Sequence, residues 1–279
     1  MPRLPGMLRR TLMKTLQHDC LNLAQSAAYS AMVALFPALV VSAATIALLP
    51  DVTPLKIEIG GFFDQVLPAN VFPLLTSYFV SSAGDGRPHT KRALAVAALV
   101  SLTGASSVIA TLMEGLMRAA NLPSSCWTFA QKRARALLLV PLSLAPLAVA
   151  SVLVVFGRFI TEWLAAHMAT MVRPAFFAVA LAVRWIISLG GVTALTALVY
   201  HMGTPRRQSW LRTLPGAVVA TTMWFATTLV FGWYVTRVAN YSAVYGSLGA
   251  GIALLFWLYI VFLSVLCGAE FNEQYSSPS

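Results

Sequence analysis

The chain has 279 residues, of which 58% are hydrophobic and only 10% charged. A soluble domain carries roughly 25% charged residues, so this chain lacks the polar side chains to cover a water-facing surface and reads as an integral membrane protein. Its net charge of +10, from 19 Lys and Arg against 9 Asp and Glu, is the signature of basic cytoplasmic loops rather than of a nucleic-acid partner.

Arg3, Arg9, Arg10 and Lys14 give the chain a basic start, and Leu8–Ala24 reads as an amphipathic helix at the membrane interface within an N-terminal segment 1–28. The uncharged run Cys20–Pro50 is 31 residues long, beyond the roughly 7–15 residues of a signal-peptide core, and predicts a retained first span over Tyr29–Leu49. Pro37 predicts a kink inside it. An outer insertion over 50–92 follows, partly helical, in which Gln65–Ala83 is either a short surface helix or a further span. A crossing helix needs roughly 20 mostly apolar residues, and five more segments supply them: Ala93–Met113, Ala136–Gly157, Ala175–Tyr200, Leu214–Tyr234 and Val244–Gly268. Pro141 and Pro146 are tolerated in the third, because membrane helices accommodate proline. A polar tail, 271–279, closes the chain.

Basic residues choose between six and seven spans. After the second span the loops carry four, two, three and one Lys or Arg in turn, which puts the first and third of these loops in the cytoplasm. Six spans then leave 11 basic residues inside and 7 outside, with Arg184 alone at membrane depth; seven would leave 8 inside and 10 outside. The expected fold is therefore all-α, a bundle of six transmembrane helices in a single domain with both termini cytoplasmic.

Ionisable groups at membrane depth are costly and face a cavity or a partner. Arg184 in the fourth span and Glu114 at the end of the second are the candidates. Thr103, Ser107, Thr111, Glu114 and Arg118 recur at helical spacing and share one face. That face is either a helix seam, with Glu114 and Arg118 paired at i,i+4, or the lining of a polar path. Thr221, Trp224, Thr228 and Gly232 form a comparable face on the fifth span. The candidate path comprises Arg184, Glu114, Thr103, Ser107, Thr111 and Thr228. Gly246 with Ala250, and Ser247 with Gly251, permit close helix approach in the last span.

Catalytic patterns are missing from the sequence. There is no HExxH, GxSxG, P-loop or dinucleotide fingerprint, and Cys20, Cys126 and Cys267 form no CxxC pair. Asp85 and His89, beside Arg87 and Lys91, read as a solvated loop rather than a metal site. No cofactor, metal or nuclease chemistry is expected.

Several segments taken together resemble the YihY/BrkB family of bacterial inner-membrane proteins. These are Tyr29 followed by Leu35-Phe36-Pro37, Glu114-Gly115 to Arg118, Pro215-Gly216, Phe231-Gly232-Trp233-Tyr234, Tyr245-Gly246-Ser247-Leu248, Trp257-Leu258-Tyr259 and Gly268-Ala269-Glu270-Phe271-Asn272. The matches run over residues 14–273, and their order and spacing carry the specificity. Met117 stands where the family usually has Asn, Ala120 near a frequent Tyr, and Cys267 at a plain hydrophobic position. The resemblance implies six spans with cytoplasmic termini. It also implies loose associations with serum resistance and envelope-lipid export, and an older ribonuclease label regarded as mistaken.

The leading functional expectation is transport or translocation of a lipid or small solute across the inner membrane. Membrane lipids are the expected partners, with an anionic lipid or solute as cargo, and a homo-oligomer is compatible with this reading. An envelope assembly protein without transport activity is the alternative.

Overall fold

The computed structural model describes residues 4–48, 88–123, 126–166, 173–205, 209–237 and 248–276. Seven helices account for nearly all of them: α1 (Leu4–Gln17), α2 (Cys20–Leu48), α3 (Pro88–Ala119), α4 (Phe129–Ala166), α5 (Arg173–Met202), α6 (Trp210–Arg237) and α7 (Leu248–Ser276). There is no strand among the described residues. Four helices contain a stretch long and apolar enough to cross a membrane: Ala95–Ala119, Phe176–Met202, Trp210–Tyr234 and Gly251–Ser276. The molecule is an all-α, polytopic membrane protein.

Helix boundaries differ from the sequence expectation in three places. The interfacial helix expected over Leu8–Ala24 is broken at Asp19, which sits in the left-handed region at φ 63°. Asp tolerates that conformation because its short side chain hydrogen-bonds locally, and here Asn22 Nδ2 donates to Asp19 Oδ1 at 2.8 Å. α1 and α2 are consequently separate helices meeting at a corner. The last five residues of the expected insertion, from Pro88, already belong to α3, and the rest of it lies outside the described residues. α7 runs on to Ser276 through most of the expected tail, with Phe271 and Asn272 buried. α4 continues through both Pro141 and Pro146 without interruption.

Successive helices from α2 to α7 pack against one another in chain order. α7 returns against α2, so the six close into a ring; α7 also touches α3, and α1 lies across α7 and α2. Small residues set the closest approaches. A Cβ on Gly104 would stand 2.6 Å from Ala34 Cβ, so α2 and α3 touch backbone to backbone there.

Burial within the ring is lopsided. The main core joins Cys20, Ala24 and Ala27 of α2, Leu112 and Leu116 of α3, Tyr200 of α5, Ala217 and Ala220 of α6, and Leu266 and Ala269 of α7. A second cluster, Ile109 and Met113 with Ala136 and Leu139, joins α3 to α4. Both lie at the end where α2, α4 and α6 begin and α3, α5 and α7 finish. Toward the other end, large apolar side chains such as Ile186 and Val230 are exposed, as suits a surface in contact with lipid acyl chains.

Candidate functional site

The hydroxyl stripe of α3 forms as a stripe, and the structure shows what each hydroxyl does. Thr103 donates to Val100 O, Ser107 to Thr103 O and Thr111 to Ser107 O, all within 3.0 Å. Back-bonding to the preceding turn satisfies a hydroxyl where no water is available. The first turns of α4 then cross this face. Arg133 donates from Nη1 to Ser107 Oγ at 2.9 Å and from Nη2 to Thr103 O at 3.0 Å. Lys132 Nζ reaches Glu114 Oε2 at 2.5 Å, and Arg118 Nε lies 3.4 Å from Glu114 Oε1. Arg118 also stands 3.8 Å from Asp19 at the α1–α2 corner.

α4 is held in this position by its own start. Thr128 and Gln131 cap it reciprocally, with the Thr128 N–H on Gln131 Oε1 at 3.2 Å and the Gln131 N–H on Thr128 Oγ1 at 3.4 Å. Such a capping box satisfies two otherwise orphaned donors and fixes where the helix begins. Arg135, on another face of the same turns, stacks over Trp127 at 4.4 Å. Thr111, Glu114, Lys132 and Arg133, with Leu23 and Ser26 of α2, line a cleft of about 270 Å³ between the three helices.

Glu114 is the hinge of this network, with a side chain 19% exposed against 22% for Lys132. Glu114→Gln removes the only carboxylate that both Lys132 and Arg118 touch among the described residues. The expected cost is about 1–2 kcal/mol, because an uncompensated, mostly buried cation remains. Adding Lys132→Met should recover part of it, read as thermal midpoints in detergent; additive losses would show that the two groups do not interact.

The remaining candidates are not brought to this cleft. Arg184 is half-buried near the middle of α5, and no other described residue pairs or hydrogen-bonds with it. It shares a helical face with Gly191, Leu195 and Val199, of which Val199 is buried in the main core and Leu195 packs against it. The fifteen residues from Arg184 to Val199 place the arginine about 22 Å along α5 from the packed end. Thr228 belongs to another seam, where it accepts a hydrogen bond from Trp257 Nε1 of α7 at 3.2 Å. The six residues expected to share one path thus occupy three places.

A buried polar cluster that sequence reading missed lies where α1 crosses α7. Glu270 is fully buried; its Oε1 stands 2.6 Å from His18 Nδ1, and its Oε2 has no hydrogen-bond partner among the described residues. Cys20 Sγ is 3.9 Å from Glu270 Oε1, and Thr15 Oγ1 is 3.7 Å from Cys267 Sγ. Among the described residues no three His, Cys, Asp or Glu side chains gather as metal ligands would. The signal was present in the sequence as an acid and two cysteines in otherwise apolar helices, but Glu270 and His18 are 252 positions apart. Beside this cluster, Asn272 Oδ1 accepts the Gly216 N–H at 3.2 Å, and the Tyr200 hydroxyl donates to Val265 O.

Comparison with known proteins adds a lineage to this geometry. The family model described as Virulence factor BrkB matches residues 11–278. YfkH of Bacillus subtilis, whose name likens it to a ribonuclease, is 27% identical over 91% of this chain and 90% of its own length. A UPF0761 membrane protein of Nitrosospira multiformis is 24% identical over 95% of this chain but only 60% of its own length. One of Alkalilimnicola ehrlichii is 38% identical over 31% of this chain and 19% of its own. No solved structure matches the chain at a significant level. With a family match across nearly its whole length, the chain belongs to the YihY/BrkB (UPF0761) family of multi-pass bacterial inner-membrane proteins.

Proposed function

We propose that this protein translocates a lipid or small solute, anionic in character, across the bacterial inner membrane. The observation that carries this reading is the position of Arg184. It is a half-buried cation near the middle of α5, without a partner among the described residues, on the face that leads down to the packed core. A charge held at that depth is expensive unless a cavity, a partner or a passing anion compensates it.

In this reading α2 and α4 cross the membrane with the four other long helices, giving six spans. α2 supports it with 29 residues that include no charge, and α4 with a long apolar stretch after its basic start. The packed end of the ring carries Arg9, Arg10, Lys14, Arg118, Lys132, Arg133 and Arg135, which favours the cytoplasm for that end and for both termini. Among the described residues the buried core gathers at that end, while α5 and α6 expose apolar side chains toward the other, which suits a solute route open to the outer side. Thr103, Ser107, Thr111 and Glu114 would stand at its cytoplasmic end, and Thr228 beside it.

Reconstitution into liposomes tests the reading. Labelled phospholipids and anionic solutes should redistribute across membranes containing the wild-type protein. Arg184→Leu should slow the process at least tenfold, and Arg184→Lys should retain part of it. Unchanged distribution across a broad panel with folded wild-type protein would reject transport and favour an assembly role.

A further inference from the structure

The cleft between α2, α3 and α4 has a charge imbalance that its own residues leave open. Two cations, Lys132 and Arg133, and one carboxylate, Glu114, line it, and a third cation, Arg118, and a second carboxylate, Asp19, join the network beside it. Glu114 lies against both Lys132 and Arg118, and Asp19 lies near Arg118. Arg133 receives neither. Its described partners are neutral, the hydroxyl of Ser107 and the carbonyl of Thr103, and they occupy only two of the five N–H donors of a guanidinium. It is nonetheless only partly exposed. A cation held partly out of water with spare donors is an incomplete site for a planar or tetrahedral oxyanion.

The walls of the cleft indicate the kind of anion. Ser26 lines it beside Lys132 and Arg133, and a hydroxyl with a guanidinium and an ammonium suits phosphate oxygens; Thr111 also lines it, but its hydroxyl already donates to Ser107 O. Leu23 gives it an apolar wall, and Phe129 stands at its edge with 84% of its surface exposed, as an aromatic ring does at headgroup level. On the orientation proposed above, which this inference rests on, the cleft lies at the cytoplasmic end of α3, where basic pockets between membrane helices meet the phosphates of the inner leaflet. A free phosphate would use the cationic half alone; a phospholipid would use both.

We infer that this cleft is a binding site for the phosphate headgroup of an anionic phospholipid from the cytoplasmic leaflet, held by Arg133 and Lys132. The site does not depend on transport through the ring, since a lipid held there by a purely structural protein would make the same contacts.

Native mass spectrometry of the full chain, released from neutral detergent with phosphatidylglycerol, phosphatidylcholine or inorganic phosphate, tests this directly. One phosphatidylglycerol should bind at least tenfold more tightly than phosphatidylcholine, and Arg133→Gln should abolish the preference. Arg135→Gln, which removes the same charge from the same helix but outside the cleft, should leave the preference intact. Equal losses in the two variants would reduce the effect to bulk surface charge and overturn the site. Inorganic phosphate displacing the lipid at equal concentration would assign the cleft to a soluble anion and overturn the lipid. Should Arg133→Gln fail to fold, a photoactivatable phosphatidylglycerol on the wild-type protein decides. Labelling of the segments bearing Ser26, Thr111 and Phe129 supports the site, and labelling elsewhere alone rejects it.

Discussion

Gly268→Ala is expected to separate α6 from α7 and to lower stability by about 3 kcal/mol, the upper part of the range for overpacking a tight contact. The added Cβ would lie 2.5 Å from the Gly216 carbonyl oxygen, 2.6 Å from Ala220 Cβ and 2.7 Å from the Tyr200 hydroxyl. One of these is backbone and another a Cβ, so neither can rotate away. The contact is mutual, because a Cβ on Gly216 would lie 2.5 Å from the Gly268 carbonyl oxygen and from Asn272 Cβ. Separation would also break the hydrogen bond from the Gly216 N–H to Asn272 and disturb that from Tyr200 to Val265. Gly190→Ala is the matched control, since a Cβ there meets nothing within 4 Å. It should be neutral or slightly stabilising, because alanine is the better helix former by about 1 kcal/mol. Thermal unfolding in detergent reads both, and equal behaviour of the two variants would refute the close crossing.

His18→Ala is expected to cost about 3 kcal/mol, as breaking a buried polar pair by removing one member does. Glu270 is fully buried, His18 is its closest partner at 2.6 Å, and the second carboxyl oxygen already lacks one among the described residues. The change should also loosen α1, which is tied to α7 by this pair and by the Thr15–Cys267 contact. Faster proteolysis at Arg9 and Arg10 would report that loosening. Converting Glu270→Leu in the same background should restore much of the stability, because replacing both partners by apolar groups removes the desolvation penalty. A loss below about 0.5 kcal/mol for His18→Ala would mean that the pair does not hold the helix.

These two predictions rest on pieces that the sequence contained but could not join. Pro215-Gly216 and Gly268 to Asn272 are both visible as motifs, and in the structure they are two sides of one crossing. His18 read as part of an interfacial helix and Glu270 as a residue at the edge of the last span, yet they form one buried pair. The α3 stripe was legible because helical spacing alone puts Thr103, Ser107, Thr111 and Glu114 on one face. Its partners were not, because Lys132 and Arg133 come from the next helix and read only as loop charges. Thr228 was grouped with them by residue type, whereas it bonds Trp257 at the α6–α7 seam.

Composition alone determined that the protein lives in a membrane, since with 10% charged residues it cannot cover a soluble surface. Runs of apolar residues determined that it is all-α, because isolated helices satisfy their own backbone in lipid. Ordered short motifs determined the family. Only the tertiary structure decided that α7 closes the ring against α2, that glycines bring α6 and α7 into backbone contact, and that Arg133 is left without an anion among the described residues. The physical reason is range: periodicity and hydropathy act within about one helix, whereas pairing charges and fitting small residues depend on which helices become neighbours.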